Sequence, residues 1–201
     1  MTVRRLLLWR HGQTDWNAEG RIQGQTDSQL ADEGVRQAEK AAEPLAALSP
    51  TLIVASDLAR ARDTAEVLAT RTGLAVTTDA RLRERHWGDW QGHTHAELAV
   101  HDAERYVAWR NGERIEVPGA ETNEAVGLRA AAGILAAVEA SPDDGVVVVV
   151  SHGGAIRHSL GYLLGAPAGF AGLVRTLDNC RWADLRPRRD SWVLHAYNVG
   201  A

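Results

Sequence analysis

Apolar residues gather along this chain into short unbroken runs set between alanine-rich stretches of helical period, and two of the runs stand apart. Residues 6–9, Leu-Leu-Leu-Trp, stop abruptly at Arg10, His11 and Gly12; residues 146–150, five consecutive valines, stop at Ser151, His152, Gly153 and Gly154. An uninterrupted run of this kind describes a strand covered on both faces, as in the middle of a parallel sheet. Each run therefore delivers a histidine followed by glycine to the rim of a sheet, where open α/β folds keep their chemistry. The carboxyl ends of parallel strands share one edge, so His11 and His152 are expected to converge although far apart in sequence.

The pattern elsewhere supplies the rest of such a fold. Residues 12–29 form a polar, glycine-punctuated loop with Trp16 and Ile22 as its main apolar bodies, and loops of that length are more often functional than idle. Asp32, Glu33 and Gly34 open a helix that runs to about residue 48, where Ser49 and Pro50 close it. A strand over 52–55 follows, then a helix over 58–72 for which Ser56 or Asp57 is the expected cap and Gly73 the stop. A third strand is predicted over 74–77, a weak helix over 95–110, and helices over 121–140 and 155–164. Residues 180–185 and 192–197 read as a hairpin-like pair of strands. The alternation predicts an α/β fold, a single domain over 1–201, with helices on both faces of a mostly parallel central sheet.

Composition narrows the partners. The net charge is -4, which leaves no electrostatic footprint for nucleic acid or an anionic membrane, and no apolar run approaches the roughly 20 residues of a membrane span. Residues 6–9 are too short for the apolar core of a secretion leader, so none is expected. The one cysteine, Cys180, has no partner within the chain, which points to a reducing cytoplasm. Lys40 is the only lysine among 22 basic residues, a bias that a GC-rich genome explains. A small anionic substrate fits if some of the arginines gather locally.

Arg10, His11 and Gly12 alone would be a weak signal. To them the chain adds Ser56, Asp57, Leu58, Ala59, Arg60, Ala61 and Thr64, Ala65; then Leu82, Arg83, Glu84 with Gly88, Asp89, Trp90, Gln91, Gly92; and finally Ser151, His152, Gly153, Gly154. In that order and spacing the chain resembles the histidine phosphatase superfamily, the phosphoglycerate mutase-like proteins, from about residue 4 to 164 with a further touch at 192–198. The resemblance implies a three-layer α/β/α sandwich, a phosphohistidine intermediate, no metal and no cofactor.

Phosphate chemistry asks for the same residue types. A phosphate dianion is matched by guanidinium forks, for which Arg10 and Arg60 are the candidates. Arg62 is a rival, but residues two apart on a helix do not share a face, and the family pattern selects Arg60. His11 is the expected nucleophile, neutral at one ring nitrogen when the other is held by a hydrogen bond. His152 is expected to donate to the oxygens of the transferring group, and Glu84 to protonate the leaving alkoxide and then activate water, a role that near neutrality asks for burial or a neighbouring anion. The resemblance assigns Asn17 and Gln23 phosphate contacts; both are also residues that loops use to bond their own backbone.

Other patterns carry less. His93, His95 and His101 lack thiol or carboxylate partners at ligand spacing and read as a solvated lid. Ser151 is not framed by a nucleophile-elbow motif. Trp16, Trp87 and Trp109 fall where they can wall a pocket. The short interval from Gly92 to Pro118 favours hydrolysis over a mutase, which carries a longer basic insertion there. Against that, Glu84-Arg85-His86-Trp87-Gly88 resembles a mutase string, and Arg105, Arg110 and Arg114 offer a second anion site. A cofactor-dependent phosphoglycerate mutase, a broad-specificity or α-ribazole phosphatase and a non-catalytic phospholigand binder are the alternatives. Within the family, Gly-Asp-Trp-Gln-Gly-His-Thr-His-Ala and the opening Arg-His-Gly-Gln-Thr-Asp resemble one group of phosphatases, and that resemblance implies a small phosphorylated metabolite with a sugar and a carboxylate near its phosphate. A homodimer built on the tail strands is a further expectation.

Overall fold

The apolar runs become the inner strands of one sheet. The computed structural model describes residues 3–189 and 191–200. Its strands are β1 (Arg5–Arg10), β2 (Leu52–Ala55), β3 (Val76–Thr78), β4 (Val146–Ser151), β5 (Trp182–Arg188) and β6 (Ser191–Val199), in the spatial order β3-β2-β4-β1-β5-β6. β1 to β4 are mutually parallel, whereas β5 and β6 form an antiparallel pair at one edge. All six residues of β4 are buried, as an inner parallel strand requires.

Successive residues of an inner strand point to opposite faces, and helices cover each. The helices are α1 (Asp15–Ala18), α2 (Asp32–Ala46), α3 (Ala59–Thr72), α4 (His95–His101), α5 (Ala103–Arg110), α6 (Asn123–Glu139), α7 (Gly153–Leu163) and α8 (Phe170–Leu173). Leu6, Leu8, Val147 and Val149 pack with Ile134 of α6 and Ile156 and Leu160 of α7. Leu7, Trp9, Val148 and Val150 pack on the other face with Ala38, Ala41 and Leu45 of α2 and Ala61, Ala65 and Leu68 of α3. The result is the expected three-layer α/β/α sandwich. Full burial of each such leucine or valine stabilises it by about 1.5–3 kcal/mol, and the alanines let the helices lie close.

The register places the site. Arg10 lies opposite Ser151 in the β1–β4 ladder, so the next residue of each strand is a histidine. Gly12 and Gly34 then let the chain leaving β1 touch the first turn of α2: a Cβ on Gly12 would collide with the Gly34 carbonyl oxygen.

Several local expectations are corrected. Neither Ser56 nor Asp57 caps α3. Asp57 is held by Arg83 through two hydrogen bonds of 2.8 and 2.6 Å, and the Ala59 N–H donates instead to Asp27, at 2.8 Å, from the loop that follows β1. The weak helix over 95–110 is two helices, broken at Asp102 (φ -141°, ψ 50°), whose carboxylate accepts from the Trp90 indole at 2.8 Å and from Arg105 at 2.9 Å. The loop over 12–29 holds α1, closed by a reciprocal Thr14 and Asn17 capping box. The third strand starts at Val76 rather than at residue 74, and the tail strands extend beyond the expected spans, to Arg188 and Val199.

Candidate active site

His11 follows the last residue of β1 and is 3% exposed. Its Nδ1 lies 2.7 Å from the carbonyl oxygen of Gly12, which can only accept, so Nδ1 carries the proton and Nε2 keeps its lone pair. The ring is held from behind: the His11 carbonyl accepts from Asn179 Nδ2 at 3.0 Å and from the Cys180 N–H at 3.3 Å. His152 caps the end of β4 and is fully buried, its ring centroid 5.1 Å from that of His11 at an interplanar angle of 58°. Its Nε2 lies 2.9 Å from Ser56 Oγ, while its Nδ1 has no partner among the described residues. Burial, followed by the guanidinium groups of Arg60 and Arg10, holds His11 well below the usual imidazole range; burial, then Arg60, His11 and Arg10, does the same for His152.

Both arginines are anchored through carbonyls. Arg60, 1% exposed, donates to Thr26 at 2.9 Å and Gly24 at 2.7 Å, and Arg10 donates to Leu177 at 2.5 Å. Burial brings Arg60 down to about 10, with Glu84 and Asp27 opposing the shift, so it remains a cation at neutral pH. The Nε atoms of both residues are buried without an acceptor among the described residues. Arg62 is exposed and paired with Asp63 at 3.2 Å, which leaves Arg60 the inward member of the pair.

The amides are oriented by their oxygens. Asn17 Oδ1 accepts from the Thr14 N–H at 3.1 Å and from Asn179 at 3.3 Å, and Gln23 Oε1 accepts from Ser28 at 2.6 Å. Each therefore has its NH2 group free to donate. Glu84 comes from an irregular loop and reaches the N-terminus of α7, where Oε2 accepts from the Gly154 N–H and Oε1 from the Ala155 N–H, both at 2.9 Å; Oε1 also accepts from the Arg85 N–H at 2.8 Å. A helix N-terminus is a natural seat for a carboxylate.

Arg10, His11, Asn17, Gln23, Arg60 and Glu84 line one cavity of about 330 Å³, and His152 adjoins His11. The cavity is also lined by residues that the sequence did not single out for this site, among them Arg157, His158 and Asn123, and by an aromatic wall. In that wall Trp87 and Trp109 meet edge to face at 5.6 Å, and His95 stacks on Trp109 at 5.6 Å and 19°. His95 is thus a wall residue, whereas the histidines at 93–101 were expected to form a solvated lid; His93 and His101 are exposed. Arg105 and Arg114 point outward, beside Asp102 at 2.9 Å and Glu124 at 3.7 Å.

A family model described as the histidine phosphatase superfamily (branch 1) matches residues 6–200. The chain belongs to this superfamily. A glucosyl-3-phosphoglycerate phosphatase of Mycolicibacterium vanbaalenii is 43% identical to this histidine phosphatase, covering 100% of this chain and 97% of its relative. The solved structure of a mycobacterial glucosyl-3-phosphoglycerate phosphatase complexed with VO3 is 41% identical, with a TM-score of 0.91 over 98% of this chain and 100% of that one. A Salmonella choleraesuis protein named as a phosphoglycerate mutase is 35% identical over 96% of this chain and 90% of its own length. Family and relatives together make the chain a phosphoric monoester hydrolase.

The neutral histidines of this phosphatase have a consequence for its stability. His158, at the cavity wall, is lowered to about 4, first by burial and then by Arg157. When the native pKa lies below the unfolded one, the unfolded chain takes up the proton first as pH drops. Stability then falls from the unfolded value downward. His11, His152 and His158 all shift in this direction from 6.5. The thermal midpoint is expected to be level above about pH 6.5 and to fall between there and about pH 4; a midpoint unchanged down to pH 5 would show that these rings are not held neutral.

Proposed function

We propose that this chain hydrolyses glucosyl-3-phosphoglycerate through a phosphohistidine formed on His11. The observation that carries the mechanism is the free Nε2 of His11 set among buried nitrogens, Arg10 Nε, Arg60 Nε and His152 Nδ1, that have no partner among the described residues, the last a donor when the Ser56 hydroxyl donates to His152 Nε2. Buried donors of this kind are costly unless an anion meets them. In the first step His11 Nε2 forms a bond to phosphorus, the bond from phosphorus to the ester oxygen breaks, and protonated Glu84 gives its proton to the departing oxygen. The arginines and His152 stabilise the charge on the transferring group. In the second step the Glu84 carboxylate takes a proton from water, the water oxygen attacks phosphorus, the phosphorus–nitrogen bond breaks and inorganic phosphate leaves. Asn17 and Gln23 contribute their NH2 groups to the phosphate oxygens.

The substrate assignment rests on the relatives that bear this name and on the outer cavity. Trp87, Trp109 and His95 give the cavity an aromatic wall for a sugar to lie against, and Arg157 offers a cation to a carboxylate. Hydrolysis, rather than transfer to a second substrate, is supported by the outward orientation of Arg105 and Arg114 and by the use of residues 95–110 for two short helices. Glucosyl-3-phosphoglycerate, 3-phosphoglycerate with its bisphosphate cofactor, and p-nitrophenyl phosphate should be compared by kcat/KM. The first is expected to lead the series, and a flat profile would sink the substrate assignment. Trp109→Ala is expected to raise KM for glucosyl-3-phosphoglycerate about tenfold, the loss of one aromatic contact of about 1–1.5 kcal/mol, with little change for p-nitrophenyl phosphate. The homodimer belongs here too: β6 is an edge strand with its outer side unpaired in the described sheet, and a sedimentation mass of one chain would dispose of the idea.

A further inference from the structure

Residues 83–86, which carry Glu84, have no regular secondary structure, so their backbone groups must find partners elsewhere. One side chain takes up the carbonyls of Arg83 and Glu84 and one more before them. Arg129, in α6, donates through Nη1 to the carbonyls of Arg81 at 2.9 Å and Arg83 at 2.6 Å, and through Nη2 to the carbonyl of Glu84 itself at 2.8 Å. Its remaining donors make a fork onto Glu121, Nε to Oε1 at 2.7 Å and Nη2 to Oε2 at 2.6 Å. Glu121 Oε2 in turn accepts from the His86 N–H at 2.8 Å and from Gln25 at 3.4 Å, and Gln25 also donates to the Glu84 carbonyl at 3.1 Å. The loop is gripped on both sides of Glu84. Arg129 and Glu121 stand outside the lining of the catalytic cavity.

We infer that the Arg129–Glu121 pair is a positioning device for the proton donor, fixing the 81–86 backbone so that the Glu84 carboxylate lands on the N–H groups of α7 at the height of the departing oxygen. This rests on the assignment of Glu84 as the acid. A planar fork reaching three carbonyls and one carboxylate is work that lysine cannot reproduce. The effect on the reaction is selective: displacement of an acid by about 1 Å costs on the order of 10²-fold in the step that uses it and little in steps that do not.

Leaving-group dependence separates this role from a merely structural one. Nitrophenolate departs without a proton, whereas phenolate, with a conjugate acid near 10 like that of tyrosine, departs faster with one. The quantity kcat/KM covers the steps up to that departure. Glu84→Gln, Arg129→Met and Glu121→Gln are each expected to raise the ratio of kcat/KM for p-nitrophenyl phosphate to that for phenyl phosphate, by about tenfold or more. Equal slowing of both esters in Arg129→Met, with the ratio raised in Glu84→Gln, would overturn the positioning role and leave Glu84 as the acid. An unchanged ratio in Glu84→Gln itself would remove the acid assignment and this inference with it. Should Arg129→Met not fold, Glu121→Gln, which keeps the side-chain volume and one acceptor oxygen, decides the question on the same ratio.

Discussion

His11→Ala is expected to lower phosphatase activity by at least about 10⁴-fold, the scale on which enzymes lose activity when a covalent nucleophile is deleted. It should also abolish the acid-labile phosphoenzyme seen after brief exposure to labelled substrate. The size of the effect follows from how narrowly the ring is specified. Gly12 fixes the proton on Nδ1, Asn179 and the Cys180 N–H hold the backbone carbonyl, and burial together with Arg60 and Arg10 keeps the ring uncharged. His152, with its ring centroid 5.1 Å away, has its Nε2 bound to Ser56 and does not take over as nucleophile. Binding should survive in His11→Ala, because Arg10 and Arg60 are anchored independently through Leu177, Thr26 and Gly24. Retained turnover, or a labelled phosphoenzyme in the variant, would mean that the nucleophile is another residue.

Glu84→Gln carries the second-largest expected effect, about 10²–10⁴-fold on an alkyl phosphate, as for loss of a general acid. Two costs combine. The proton donor is gone, and the new NH2 group replaces one of the two oxygens: with the amide oxygen left to the Arg85 and Ala155 N–H groups, it meets the Gly154 N–H donor against donor. With p-nitrophenyl phosphate the first step should proceed without the acid while the second still lacks its base. Phosphoenzyme is therefore expected to accumulate in the steady state, and rapid quenching measures it directly. Its absence alongside slow turnover would show that Glu84 does not act in the hydrolytic step. Gly154→Ala offers a milder version of the same test: its Cβ would come within 2.5 Å of Glu84 Oε1, so the carboxylate must move while keeping its charge.

Much of this site was legible in the chain because its parts lie at the ends of strongly patterned elements. The Leu-Leu-Leu-Trp run and the five valines read as inner strands, and parallel pairing then brings the two histidines together. Arg60 was separated from Arg62 by helical spacing, with the family pattern making the choice, and the structure buries the first and exposes the second. Misplaced features depended on distant acceptors. Asp27 caps a helix that starts 32 residues later, so inspection of Ser56 and Asp57 could not find it. Asp102 interrupts a helical stretch because the Trp90 indole claims its carboxylate. His95 reads as a solvated polar residue until the fold of α4 against α5 lays it on Trp109.

Local pattern thus determined the α/β class, the inner strands and most of the polar residues that the fold gathers round one cavity, because burial period and strand ends are properties of a few adjacent positions. What only the tertiary structure decided is which ring nitrogen of His11 is free, which donors lack partners, what walls the outer cavity and what holds the loop of Glu84. Arg129 lies 45 positions from Glu84. Its guanidinium reaches that carbonyl only because α6 packs across the 81–86 segment, and no spacing along the chain encodes that crossing.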